Sequence, residues 1–266
     1  MPQPDAPRSP FEFHGEPPTH LSYPGLGAAG VRHLVTTRHA GSLPPVTAAE
    51  GPFPPGPAAA ALAALGVEGR EVSFLYQVHG TAILAADGRP PGLVGTGDAL
   101  VTERARRPLA IFTADCLALI LADPARPLLA VAHVGWRGTV KGLPGRLVRA
   151  LAERHGAAPA ALRVAVSPSI GPCCYEVDEP VVAPLARAFP HVWERWVTPT
   201  GPGKWRLDLW RATADQLAEA GVAPDRILNP RLCTSCRRDL FFSYRAEGGG
   251  QRLATVAMLG GPRVAV

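Results

Sequence analysis

His79, Cys116 and His133 are the three residues whose types and positions could do chemistry together. His79 follows the apolar segment EVSFLYQV and precedes a glycine. Cys116 opens the run LALILA, and His133 closes the run LLAVA ahead of Val-Gly-Trp-Arg-Gly. One thiolate with two imidazoles suits zinc or copper, and three protein ligands with an open fourth position is the pattern of a catalytic zinc. The Cys116–His133 pair equally suits a thiolate nucleophile activated by an imidazole, with Asp115 or another carboxylate orienting the ring. That second chemistry would make the chain a cysteine hydrolase or deamidase. Metal content separates the two, and the spacing of the three residues matches no short zinc signature, so both stay open at this point.

Something must bring Cys116 to His133. The two apolar runs flank Asp123-Pro124-Ala125-Arg126, a proline-containing polar break that reads as a hairpin loop. With the loop centred between Pro124 and Ala125, Cys116 is expected directly opposite His133. Directly opposed residues share a face, and a slip of one residue in one strand would separate them.

Anion binding has its own candidates. Arg137 lies in the Gly135-Trp136-Arg137-Gly138-Thr139 turn, and Lys141 follows. A glycine-flanked turn feeding a helix offers free N–H groups to an anion. Arg38 and Arg245 each end a strand-like segment. The other four cysteines carry weaker signals. Cys233-Thr-Ser-Cys236 is a CxxC with no second pair or histidine nearby in sequence, read as structural or incidental. Cys173-Cys174 is adjacent, read as awkward for chelating one zinc and as loop packing beside Gly171-Pro172.

Composition bounds the rest. A hydrophobic fraction of 47% gives an ordinary globular core, and 30 prolines with 28 glycines stay below the range where disorder is the default. The net charge of +5 comes from scattered arginines, with no run of five basic residues and 6% aromatics. That pattern argues against nucleic acid and fits an anionic small molecule. No long apolar stretch suits a membrane span, and the first residues show no apolar leader. Five cysteines, an odd number, suit reduced thiols in the cytoplasm.

The elements read as α+β with a mixed, mostly antiparallel sheet covered by helices. Residues 1–30 are expected to be a Pro/Gly-rich arm, and residues 31–266 a single catalytic domain. Strands are expected over 31–37, 71–78, 98–102, 163–166 and 252–259, besides the hairpin. Helices are expected over 58–65, 140–154 (capped by Thr139), 180–189 and 209–220, and a loop over 39–57.

Six segments, in this order, carry a resemblance: QVHGT at 77–81, GDALVT at 97–102, TADCLALILAD at 113–123, AVAHVGWRGT at 130–139, SIGPCCYEV at 169–177 and LCT…DLFFSYRAE at 232–247. They resemble the purine nucleoside phosphorylase family once described as laccase-domain or multicopper polyphenol oxidase proteins. The resemblance implies a single-domain α+β fold related to cysteine-hydrolase-like toxins. It implies a zinc site at His79, Cys116 and His133, with one cysteine and two histidines too few for a multicopper cluster. It implies phosphorolysis of adenosine, inosine and methylthioadenosine, with deamination of adenosine as a further activity, in a monomer or small homo-oligomer. Arg137, with Arg38 or Arg245, is the expected phosphate site, and Asp115 a candidate to orient a ligand or carry a proton. Around Arg38 the match is weaker, since Thr36-Thr37-Arg38 runs into His39-Ala40-Gly41-Ser42 where the family carries Gly-Gly-x-Ser.

Overall fold

The computed structural model describes residues 9–43 and 58–260. The two apolar runs form the strands Leu117–Asp123 and Leu128–Val134, and every residue of both is buried. A strand buried on both faces must be apolar throughout, and these are. Their side chains alternate between two cores. Leu117, Leu119, Leu121, Ala130, Ala132 and Val134 pack against helices, whereas Ala118, Ile120, Ala122, Leu129 and Val131 face a second sheet.

The hairpin sits at the centre of a six-stranded sheet in the order Ile227–Leu228, Arg163–Val166, Leu117–Asp123, Leu128–Val134, Ala99–Thr102, Ile83–Ala85. Helices Leu143–His155 and Leu209–Glu219 cover one face of it. Against the other face lies a seven-stranded sheet in the order Glu12–His14, His20–Ser22, Val31–Thr36, Leu253–Leu259, Leu109–Thr113, Ser73–Tyr76, Gly92–Thr96. The short helix Ala59–Ala64 packs on the far side of that second sheet with Leu34, Phe74 and Val256. The layers are helix, sheet, sheet, helix. Most strand pairs are antiparallel, and the parallel ones lie toward the sheet ends, as with Ser73–Tyr76 beside Gly92–Thr96. The expected mixed α+β architecture is what forms. No helix among the described residues is long and apolar enough to cross a membrane.

The hairpin register differs from the expected one by two residues. His133 pairs with Ala118, and Leu128 with Asp123. The cause is Pro127. It has no N–H to give the ladder, so it joins Pro124, Ala125 and Arg126 in the turn while Asp123 stays in its strand. The Asp123 carboxylate then accepts the Ala125 N–H at 2.9 Å, closing the turn. A shift of two preserves the side-chain face, so Cys116 and His133 still point the same way, now as diagonal neighbours.

Two further expectations are corrected. Residues 9–30 are built into the fold rather than hung from it. Glu12–His14 and His20–Ser22 extend the seven-stranded sheet, and Leu21, Tyr23 and Leu26 are fully buried. The Tyr23 hydroxyl donates to the Val166 carbonyl at 2.6 Å, tying this segment to the other sheet. The expected helix 140–154 is two helices, Trp136–Val140 and Leu143–His155, broken at Gly142 with φ of 71°. Pro144 cannot continue the first helix and suits the start of the second. Thr139 therefore lies inside the short helix, and its hydroxyl donates to the Gly135 carbonyl at 3.1 Å. Residues 1–8, part of the expected arm, and residues 44–57, most of the expected loop, lie outside the described residues. The strand Gly92–Thr96 and the small sheet of Glu176–Asp178, Lys204–Leu207 and Val197–Gly201 were not expected.

Candidate active site

The two facing sheets leave an open end between them, and there the hairpin stops being apolar. A cleft of about 440 Å³ opens at that end, with Leu75, Gln77, Phe112 and Thr113 from the seven-stranded sheet on one wall. Cys116 and His133 line the other wall, and His79 and Arg137 complete it. The volume is within the usual range for a small-molecule site.

Each of the three expected residues is held differently. His133 is in its strand and nearly fully buried. Cys116 sits one residue before its strand and is half-buried. By the hairpin register Cys116 stands opposite Gly135, and that position has no room for a side chain. A Cβ on Gly135 would lie 2.8 Å from Cys116 Sγ and 3.2 Å from His79 Cδ2. His79 comes from the turn after the strand Ser73–Tyr76 and adopts φ of 57°, a left-handed conformation uncommon for a residue with a side chain. Two neighbours hold that turn. The Gln77 side chain donates to the Phe112 carbonyl and accepts the Phe112 N–H, both at 2.8 Å. Lys141, expected near an anion, instead donates to the His79 carbonyl at 3.2 Å.

Asp98 completes the arrangement and was missed as a candidate, although it lies in the GDALVT segment. The register of Ala99–Thr102 against the hairpin continues to put Asp98 opposite His133, whose N–H donates to the Asp98 carbonyl at 2.7 Å. Its buried carboxylate lies 2.8 Å from His133 Nδ1 and accepts the N–H groups of Val78, His79 and Gly80 at 3.3, 2.9 and 2.6 Å. Burial alone would raise the Asp98 pKa, but the bonds from His133 and the backbone keep it below the usual carboxylate value. The carboxylate is ionised and holds the proton on His133 Nδ1, so Nε2 is the nitrogen that a metal would take by displacing its proton. No local sequence signal marks this aspartate, which stands opposite His133 only through the pairing of Ala99–Thr102 with the hairpin.

Sγ of Cys116 lies 4.0 Å from Nε2 of His79, and the two histidine rings meet edge to face at 4.7 Å. One ligand atom from each of His79, Cys116 and His133 falls within 4.8 Å of the other two. The donor set, the aspartate-buttressed histidine and the open cleft together fit a divalent metal of the zinc class held by three protein ligands. Burial pushes the Cys116 thiol up, but His133 beside it and hydrogen bonds from both histidines outweigh that and bring it down to about 6. Burial likewise disfavours the His133 cation, yet Cys116 and Asp98 raise it to about 9. Below about pH 6 the thiolate is lost; above it the thiolate persists. Chelator-treated protein should therefore alkylate at Cys116 with a half-maximal rate near pH 6, against about 8.5 for an ordinary thiol. A midpoint near the ordinary value, read by mass spectrometry of the labelled peptide, would remove this electrostatic picture.

The other expected residues divide. Arg137 lines the cleft, its guanidinium 4.3 Å above the Trp136 ring. Arg252, not singled out before, lines it too, as does Tyr244, 59% exposed. Arg245 lies in an adjoining hollow with Trp136 and Tyr175, and donates to the Glu176 carbonyl at 2.7 Å. Arg38 pairs with Glu247 at 2.6 Å. Asp115, expected to orient the ring, has φ of 84° and accepts the Thr234 hydroxyl at 2.6 Å and the Arg245 N–H at 2.7 Å. It fastens the loop that carries Cys116, and ring orientation belongs to Asp98.

Similar proteins share this fold. The structure of YlmD from Geobacillus stearothermophilus superposes with a TM-score of 0.83 at 30% identity, over 94% of this chain and 99% of that one. By sequence, the purine nucleoside phosphorylase YlmD of the same organism is 40% identical over 60% of this chain and 59% of its own length, so the aligned stretch spans less than two thirds of that relative. The adenosine deaminase RL5 from an unknown prokaryotic organism is 33% identical over 69% of this chain and 73% of its own. Residues 58–260, from the helix outside the seven-stranded sheet to the end of its last strand, match a single family, and the chain belongs to it: the multi-copper polyphenol oxidoreductase laccase family.

Proposed function

We propose that the chain is a zinc-dependent purine nucleoside phosphorylase acting on adenosine, inosine and methylthioadenosine, with hydrolytic deamination of adenosine as a second activity. The observation that carries this reading is the His79–Cys116–His133 set on one wall of a cleft that Arg137 also lines. The names of the relatives support it. In this reading His79, Cys116 and His133 hold the zinc, which supplies a Lewis acid for an oxygen of the substrate or of water. Asp98 keeps the His133 proton on Nδ1. Arg137, stiffened by stacking on Trp136, offers phosphate a pair of parallel hydrogen bonds. Arg252 adds positive charge on the same cleft. The exposed Tyr244 ring offers a purine a flat face, and Leu75 and Phe112 add apolar surface on the facing wall. A phosphate oxygen bonds to the ribose carbon as the bond to the purine nitrogen breaks, and the purine departs with that electron pair. Unpaired cysteines support a cytoplasmic setting.

Inosine and adenosine turnover with and without phosphate tests the reaction. Phosphate should be consumed mole for mole with base released. Arg137→Ala should raise the KM for phosphate by about 10–100-fold, the equivalent of one charged hydrogen-bond pair. Base release at an undiminished rate in phosphate-free buffer would make the enzyme a hydrolase. One observation favours a second reading: Cys116, His133 and Asp98 stand in the order of a nucleophile, base and orienting acid. A metal-free cysteine hydrolase, of the kind a kinship with toxin hydrolases would imply, would lose activity to alkylation and ignore chelators. A copper enzyme would show a visible absorption band and oxygen uptake with phenols.

A further inference from the structure

We propose that Cys173, Cys174, Cys233 and Cys236 form a second metal site, a four-thiolate cage for a zinc-class divalent cation. In sequence they are an adjacent pair and a distant CxxC. In the fold, two loops bring them together. Ser169 bridges Cys233 in parallel fashion; its N–H donates to the Leu232 carbonyl at 3.2 Å, and the Thr234 N–H donates back to the Ser169 carbonyl at 3.1 Å. That pairing sets the two loops in fixed register. Cys236 Sγ then lies 3.4 Å from both Cys173 Sγ and Cys174 Sγ, and all four sulfurs fall within 4.8 Å of one another. Four sulfurs around a zinc at about 2.3 Å would stand about 3.8 Å apart, so the cluster needs only a small adjustment. The adjacency of Cys173 and Cys174 is therefore no obstacle, since the turn aims both sulfurs at Cys236.

Two further features suit a metal. The Gly171 N–H donates to Cys233 Sγ at 3.2 Å, a supporting hydrogen bond of the kind that steadies a thiolate ligand. Cys233 is buried while Cys173 and Cys236 are exposed, which anchors the cage on one side and leaves a way in on the other. Each thiol gives its proton to solvent as its sulfur bonds the metal. With four protein ligands such a site is closed, and its work is structural. What it would brace is specific. The Ile170 N–H donates to the Asp115 carbonyl at 2.9 Å, and the Thr234 hydroxyl to the Asp115 carboxylate at 2.6 Å. Both loops of the cage thus grip the residue before Cys116. A Cβ on Gly171 would sit 2.5 Å from the Trp210 ring, so the first loop is also seated tightly on its helix.

The test uses the full chain purified under reducing conditions, with zinc as the probe. Wild type should hold about two zinc ions per chain, and Cys173→Ser/Cys236→Ser about one. Cys116→Ala should also hold about one, because the two sites fail separately. With Co(II) in place of zinc, the intense visible absorption of a four-thiolate site should vanish in Cys173→Ser/Cys236→Ser and persist in Cys116→Ala. If the double variant fails to fold, the Cys116→Ala protein carries the test alone through its cobalt spectrum. Equal metal content in wild type and double variant would overturn the proposal. So would a Cys173–Cys236 or Cys174–Cys236 disulfide in freshly purified, thiol-blocked protein.

Discussion

Cys116→Ala should abolish nucleoside turnover, by about 10³-fold or more, while leaving the protein folded. The estimate follows from what the sulfur supplies. It is one of three ligands, and the positioned Lewis acid it helps hold is worth several kcal/mol of transition-state stabilisation, each 1.36 kcal/mol being tenfold in rate. It is also the only anionic donor of the three, and its charge, together with Asp98, raises His133 to about 9. Folding should tolerate the loss, because Cys116 lies before its strand, half-buried against the cleft rather than in either core. The check is turnover of inosine with circular dichroism and zinc content on the same sample. Retained turnover would exclude both the metal and the nucleophile readings. Lost turnover in a protein whose wild type never held metal would select the nucleophile.

Much of this site was legible because strand geometry is forgiving in steps of two. The loop centre was misplaced by Pro127, yet Cys116 and His133 kept a common face, since side-chain direction repeats every second residue. The same parity would have failed had the turn gained a residue on one strand only. What stayed hidden needed contacts between segments far apart in sequence. Asp98 meets His133 only because Ala99–Thr102 pairs with the second hairpin strand, and the chain gives no local sign of that partner. The four-cysteine cluster depends likewise on a parallel bridge between Ser169 and Cys233. Arg38 and Arg245 were plausible phosphate ligands by sequence, since each ends a strand-like segment. Their directions are set by Glu247 and by the Glu176 carbonyl, partners no spacing rule points to. Residues 9–30 were set apart by their prolines and glycines, while the decisive residues were the buried Leu21, Tyr23 and Leu26.

Asp98→Asn is the second substitution with a large expected effect, and it separates fold from chemistry differently. The carboxylate accepts four hydrogen bonds, from Val78, His79, Gly80 and His133, with no exposure to water. Asparagine keeps the shape but replaces one acceptor oxygen with a donor. Turned one way, its NH₂ faces the Val78 and Gly80 N–H groups; turned the other, it faces the His79 N–H and His133 Nδ1. Either leaves buried donors opposed, at about 1–3 kcal/mol each. The left-handed backbone at His79 then loses its brace, and His133 loses the partner that fixes its tautomer. Loss of such an outer partner weakens metal affinity by about 10–100-fold. Competition with a chromogenic chelator should show that drop, and urea unfolding of the metal-free variant should show about 2–4 kcal/mol less stability. The two readouts fail independently. Unchanged zinc affinity with lower stability would confine Asp98 to the backbone turn. Unchanged stability with weakened zinc would mean the turn stands by other means, with Gln77 and Phe112 the nearest candidates. Only the joint loss fits a carboxylate that builds the turn and aims the ligand with the same two oxygens.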